Sequence, residues 1–178
     1  MKVSTNRGIF PIIFITVVVL IAVVLLAWTD GCTRDRIAAQ EEAKLNRMLT
    51  EMFPDMSEYT IEDDIYTIYS DGAGIGYAFL AVGKGYGGKI NILVGLEDET
   101  TIKGVTVVTQ LETPGLGSRI TGSSFSDQFA GLNIGAVALT RDGGEIDAIT
   151  GSTISSRAVV EAVKLEGMEK VKLLKDRR

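Results

Sequence analysis

The sequence predicts an α+β domain, a mainly antiparallel sheet with flanking helices, preceded by one N-terminal transmembrane helix. Three observations carry this expectation. Residues 9–28 run without a charge from Ile9 to Trp28, matching the roughly 20 residues that cross a bilayer as a helix. Between Tyr59 and Thr109, β-forming segments are separated by short turns marked by glycine or charge, a meander of three or more strands. Amphipathic segments lie before and behind that region, at Thr33–Phe53 and Arg157–Lys164. The 178 residues suffice for one domain and an accessory segment.

The uncharged run reads as a retained anchor. Lys2 and Arg7 precede it, and no acidic residue occurs before Asp30. A cleaved signal peptide would have a shorter apolar region closed by a small-x-small site. Thr29-Asp30-Gly31 ahead of Cys32 fits a lipoprotein signal poorly. Basic residues favour the cytoplasmic side, which leans residues 1–8 inward and the soluble part outward, although Arg34 and Arg36 follow the span closely. The expected division is a cytoplasmic end at 1–8, an anchor at 9–28, a helical stalk at 29–54 and a soluble domain at 55–178.

Charge and absences narrow the chemistry. Two of the 18 basic residues and none of the 23 acidic ones precede Thr29, leaving 16 against 23 and a net charge of −7 beyond the anchor. That balance argues against nucleic-acid binding and against a domain held to anionic lipid by its surface. With no histidine, Ser-His-Asp and Cys-His catalysis and His-ligated metal or haem are excluded. One cysteine allows neither an internal disulfide nor a Cys-ligated iron–sulfur cluster. No catalytic residue and no metal site is expected. If this chain moves electrons, the carrier is organic.

In order, Thr33–Phe53 is rich in helix formers, and Ala38, Leu45, Met48, Leu49 and Met52 share one side until Pro54 ends the run. The acidic patch Glu62-Asp63-Asp64 is read as solvation of an exposed edge, and Asp71-Gly72 as a turn. Gly76–Gly83 is apolar on both faces and predicts a buried strand. Ile90, Ile92, Val94 and Leu96 alternate as the next, and Ile102–Thr109 follows the charged turn at Glu97-Asp98-Glu99. The glycines at 83, 85, 87 and 88 are not a dinucleotide fingerprint, because a strand rather than a helix follows them. Phe125–Phe129 predicts a helical turn with core aromatics, and Ile134–Thr140 a further strand.

Two stretches stand out. In Asp147–Ser156, the hydroxyls of Thr150, Ser152, Thr153 and Ser155 gather where a strand gives way to a helix. Helix capping explains them; so does a phosphate at the helix N-terminus, where N–H groups lack intrahelical acceptors. The other stretch is Gln110–Arg119, whose Glu112-Thr113-Pro114-Gly115-Leu116-Gly117 core makes a tight turn on local grounds.

The pattern Asp147-x-x-Thr150-Gly151-Ser152-Thr153 resembles the flavinylation motif of the FMN-binding domain family, with Ser152 in place of the usual alanine. Together with Glu112–Gly117 and the N-terminal span, it makes nearly the whole chain similar to the G-subunit family of Rnf ion-translocating electron-transport complexes. The C-subunit family of sodium-pumping quinone reductases shares the flavinylation motif.

The resemblance implies a function. FMN would be joined by its phosphate to the Thr153 hydroxyl, installed by an ApbE-type flavin transferase that uses FAD. The domain would lie on the periplasmic or extracytoplasmic face of the cell membrane. There it would relay electrons among other Rnf membrane subunits, in a complex coupling ferredoxin and NAD oxidoreduction to Na⁺ or H⁺ translocation, without independent catalysis. Asp147, Thr150, Gly151, Ser152 and Ser155 would surround the attachment. Glu112, Thr113, Gly115, Leu116 and Gly117 would grip the isoalloxazine. The competing readings are an anchored interaction module without flavin, the C subunit of a sodium-pumping quinone reductase, and a freestanding flavin reductase.

Overall fold

The computed structural model describes residues 6–176. Lys2 lies outside the described residues, as do the side chains of Arg7, Cys32, Arg34 and Ala38. The chain forms two compact units, Met1–Lys44 and Leu45–Arg178.

Within the first unit runs most of helix α1, Asn6–Met52, uninterrupted through Gly31. A glycine costs a helix only about 1 kcal/mol. Flanking threonines fold back onto the helix, with Thr29 Oγ1 donating to Leu25 O at 2.8 Å and Thr33 Oγ1 to Thr29 O at 2.7 Å. Phe10–Gly31, of mean hydropathy 3.2, is long and apolar enough to cross a membrane.

The second unit is an α+β domain, as expected. Strands β1 (Glu58–Glu62), β2 (Ile65–Ser70), β3 (Ala73–Lys84), β4 (Lys89–Leu96) and β5 (Ile102–Thr109) form an antiparallel meander in chain order. Asp63 and Asp64, at φ 51° and 59°, make the two-residue turn between β1 and β2. Aspartate tolerates this left-handed backbone better than most residues. The acidic patch therefore builds a hairpin as well as facing solvent.

One sheet face carries the main core. Phe79, Ala81, Ile90, Ile92 and Val94 pack there beneath helix α3 (Thr153–Asp176), joined by Phe125 and Phe129 at a ring separation of 5.5 Å. The two phenylalanines sit on helix α2 (Ser123–Ser126) and the 3₁₀ turn after it. On the other face the last turns of α1 bring Leu49, with Leu45, Met48 and Met52, against Ile68, Ala78 and Leu93, and Phe53 closes this smaller core.

Four expectations are corrected. The Gly76–Gly83 strand is not buried on both faces: Leu80 and Val82 are exposed, because the smaller core covers β3 only as far as Ala78. Ile134–Thr140 is not a strand. It forms 3₁₀ turns at Ile134–Ala136 and Thr140–Asp142 around a single bridge, Leu139 to Ile146. Its buried residues Ile134, Val137 and Leu139 do not alternate, and Asn133 Oδ1 accepts from Gly135 N at 3.0 Å. Helix α3 spans 24 residues rather than Arg157–Lys164 alone. Ala162 is buried but Leu165 is exposed, since the buried stripe continues through Val163, Gly167, Val171 and Leu174 at helical period.

Candidate functional site

The first turn of α3 is a hydroxyl-rich corner. Gly151 takes φ +80°, a left-handed turn that a Cβ would strain. The following turn is locked from inside: Ser156 Oγ donates to Ser152 O at 3.1 Å and accepts from Ile149 N at 3.0 Å. Helical bonding begins with Ser156 N to Ser152 O at 2.9 Å. The N–H groups of Thr153, Ile154 and Ser155 therefore have no intrahelical acceptor and point a partial positive charge outward. Thr153 is half-buried. Ser152 is 4% exposed, and its Oγ has no hydrogen-bond partner among the described residues.

The Glu112–Gly117 loop folds against this corner. Leu116 N and Ser118 N both donate to Thr113 O at 3.2 Å, and Gly115 N donates to Ser118 Oγ at 2.9 Å. Leu116 reaches Gly151, where a Cβ would lie 3.0 Å from Leu116 Cδ1. Glu112, 5% exposed, accepts Gly87 N at 2.9 Å on Oε1 and the Ser155 hydroxyl on Oε2. That pair of bonds brings in a third segment, the β3–β4 hairpin tip with Tyr86.

Between the three segments lies a cleft of about 540 Å³, lined by Tyr86, Glu112, Thr113, Leu116, Gly117 and residues 151–155. Its size falls in the roughly 300–1,000 Å³ range of small-molecule sites. The lining divides between aromatic or apolar side chains at Tyr86, Leu116 and Ile154 and hydroxyls at Ser152, Thr153 and Ser155. A flat, largely apolar ring with an anionic tail suits that division. The buried, unpartnered Ser152 hydroxyl is the kind of group a bound polar ligand satisfies. The residues present fit FMN.

Thus the structure gathers Gly151, Ser152, Thr153 and Ser155 with Glu112, Thr113, Leu116 and Gly117, although residues 118–146 separate the two motifs in sequence. Asp147, Thr150 and Gly115 stand off the cleft wall and are exposed. The Asp147 backbone donates to Gln128 Oε1 at 2.7 Å. Sequence reasoning missed Tyr86 and Ile154. A signal existed for Tyr86: a hairpin explains the glycines at 85, 87 and 88, but not an aromatic, 76% exposed, at their centre.

Comparisons with known proteins cover the same region of the chain. The model of the FMN-binding domain matches residues 85–165, which hold both motifs and Tyr86. The G subunit of the ion-translocating oxidoreductase complex of Methanosarcina acetivorans is 34% identical over 167 residues, covering 85% of this chain and 89% of the relative. The corresponding G subunit of Shewanella piezotolerans is also 34% identical, over 79% of each chain. Among solved structures, Shewanella oneidensis NqrC shares the fold at TM-score 0.55 and 22% identity, over 70% of this chain and 74% of that one. The C subunit of the Na⁺-translocating NADH-quinone reductase of Parabacteroides distasonis aligns at TM-score 0.51 and 30% identity, over 60% and 61%. Identity and coverage together show that the chain belongs to the G-subunit family of ion-translocating oxidoreductase complexes.

Proposed function

We propose that this chain is a membrane-anchored flavoprotein subunit that carries FMN covalently, through a phosphoester to Thr153, and relays electrons in an Rnf-type ion-translocating oxidoreductase. The observation that carries the reading is the position of Thr153. Thr153 is half-buried and lines the cleft to which both motifs contribute, at a helix N-terminus that favours an anion. FMN supplies the redox chemistry when bound, and the protein supplies position and electrostatics. Thr153 is the attachment point. Ser152 offers its hydroxyl to a phosphate oxygen, and the free N–H groups of the first turn offset the phosphodiester charge. Tyr86, Leu116 and Ile154 would supply the apolar contacts to the ring. Asp147, exposed and off the wall, serves the ApbE-type transferase that delivers FMN from FAD.

The anchor Phe10–Gly31 holds the domain at the cell membrane, on the extracytoplasmic side, beside other Rnf subunits. Electron transfer there is coupled to ferredoxin and NAD oxidoreduction and to Na⁺ or H⁺ movement.

Intact mass spectrometry of the full chain, co-expressed with an ApbE-type transferase, tests this. The expected result is a gain equal to FMN less one water, absent in Thr153→Ala. No gain in the wild-type chain sinks the electron-carrier reading and leaves an anchored interaction module.

A further inference from the structure

We infer that Glu112 is the positioning residue of this cleft: a buried carboxylate that acts through Gly87 and Ser155 to hold the three walls in register before any ligand arrives. The inference rests on the flavin reading for its purpose, but not for its geometry. A loop residue whose only task was to touch a ligand would present its carboxylate to the cleft. Glu112 instead places one oxygen on the hairpin tip and the other on the first turn of α3. Its own N–H is held by the Gln110 side-chain oxygen, which fixes where the chain turns inward.

The surroundings are shaped around this carboxylate. A Cβ at Gly85 would collide with Oε1; one at Gly117 would lie 2.7 Å from Oε2 and 2.9 Å from Ser155 Oγ. Close backbone approach on both sides is what lets the carboxylate bridge the segments. The hydrophobic core does not do this work. Among the buried apolar residues, β3 and β4 contribute up to Ala81 and from Ile90. Beyond them the tip meets the exposed Leu111, where a Cβ at Gly87 would collide with Leu111 O and one at Gly88 would lie 3.3 Å from Leu111 Cδ1, and is otherwise tied by hydrogen bonds. Gly85 N to Gly88 O at 2.8 Å closes the hairpin on itself, and Gly87 N to Glu112 ties that hairpin to the rest of the site. Tyr86 is adjacent to the tied residue. Its place on the cleft wall follows from Glu112.

A site held by residues that are themselves locked binds with less ordering cost and orients its ligand more narrowly. Two readouts test this on the full-length chain in detergent. Before flavin is added, amide hydrogen exchange is compared at residues 85–88 and at Ile92 in β4. Glu112→Ala is expected to lower protection at the hairpin tip at least tenfold, with Ile92 unchanged. Glu112→Gln is expected to stay within threefold of wild type, since its amide oxygen still accepts from Gly87 and its amide group donates to Ser155 Oγ. If Glu112→Ala does not fold, Ser155→Ala, which cuts one tie without opening a large gap, is expected to loosen the tip alone.

After loading with FMN by an ApbE-type transferase, visible circular dichroism of the bound flavin reports how firmly the ring is oriented. The band should weaken at least twofold in Glu112→Ala or Ser155→Ala and recover in Glu112→Gln. Unchanged tip protection in both truncations overturns the inference, as does loss of protection in Glu112→Gln equal to that in Glu112→Ala. Failure of the wild-type chain to take up flavin, with the exchange pattern as expected, overturns the flavin reading and leaves the brace standing.

Discussion

Two hairpin tips in this domain are each tied down by one buried ionisable side chain, and one of the two tips lines the candidate cleft. At the β3–β4 tip, Glu112 accepts from Gly87 N and from Ser155 at the start of α3. At the β1–β2 tip, Lys170, near the other end of α3, donates its Nζ to Asp63 O at 2.9 Å. Both ties join the helix side of the domain to the sheet across long stretches of chain. The Lys170 tie is a side-chain donor meeting a backbone carbonyl at a tight turn. Beside the Glu112 tie lie an open cleft, a half-buried threonine and a buried hydroxyl with no partner among the described residues. A buried polar side chain alone therefore does not mark a site. Nor does an unpartnered buried atom alone, since Asn46 Oδ1 and Arg157 Nε also have no partner among the described residues; what sets the Glu112 side apart is that such an atom, the Ser152 hydroxyl, borders the cleft.

This contrast can be broken or sharpened by substitution, taken from the largest expected effect downwards. Phe79→Ala sets the scale, because Phe79 is fully buried beneath α3. Truncation should cost about 3–5 kcal/mol, and denaturant unfolding should show stability and flavin loading falling together.

Lys170→Ala should cost about 1–3 kcal/mol, the penalty for leaving a partner unsatisfied. Intact mass should show flavin loading unchanged. A loading defect without a stability loss would mean that the two ties are not functionally distinct.

Ser152→Ala should behave in the opposite way. Removing a buried hydroxyl that has no partner among the described residues should leave the flavin-free chain as stable as wild type, or more stable by up to about 1 kcal/mol. Thermal unfolding should then show a smaller gain on FMN loading than wild type gives. Clear destabilisation of the flavin-free form would assign the hydroxyl to the fold instead.

The smallest effect belongs to the β4–β5 turn, held from the solvent side by Asp98. Its carboxylate accepts Thr100 N at 2.7 Å and Thr101 N at 2.8 Å, and the Thr100 backbone bond is the main reason its pKa is lowered to about 2. A folded-state pKa below the ordinary value of 3.8 stabilises the fold above that value and is lost as pH falls through about 2. Asp98→Asn should abolish this part of the acid dependence, read from unfolding curves between roughly pH 5 and pH 2. At this exposed site the change should be no more than a few tenths of a kcal/mol.

Much of the domain was legible before any coordinates. Ile90, Ile92, Val94 and Leu96 alternate and are all fully buried, and β5 has the bounds read from sequence, Ile102–Thr109. The Ile134–Thr140 segment misled because β-branched and apolar residues also suit irregular turns pressed against a core. Val82 and Leu80 misled because hydrophobicity does not say whether another element will cover a strand. For the site, the residue types of Glu112–Gly117 and Gly151–Ser155 announced themselves, while their meeting did not. Glu112, expected to grip the isoalloxazine, lines the cleft and also accepts a hydrogen bond on each carboxylate oxygen from within the protein.

The sequence alone determined the apolar span, the meander of strands, the hydroxyl-rich start of α3 and the family to which both motifs point. These are local properties, written in spacing, composition and turn chemistry. Only the tertiary structure decided that Tyr86, Leu116 and Thr153 share one cleft, that Asp147 stands outside it, and that the Ser152 hydroxyl has no partner among the described residues. Burial and hydrogen-bond satisfaction depend on which distant segments arrive at the same place, and no spacing along the chain carries that information.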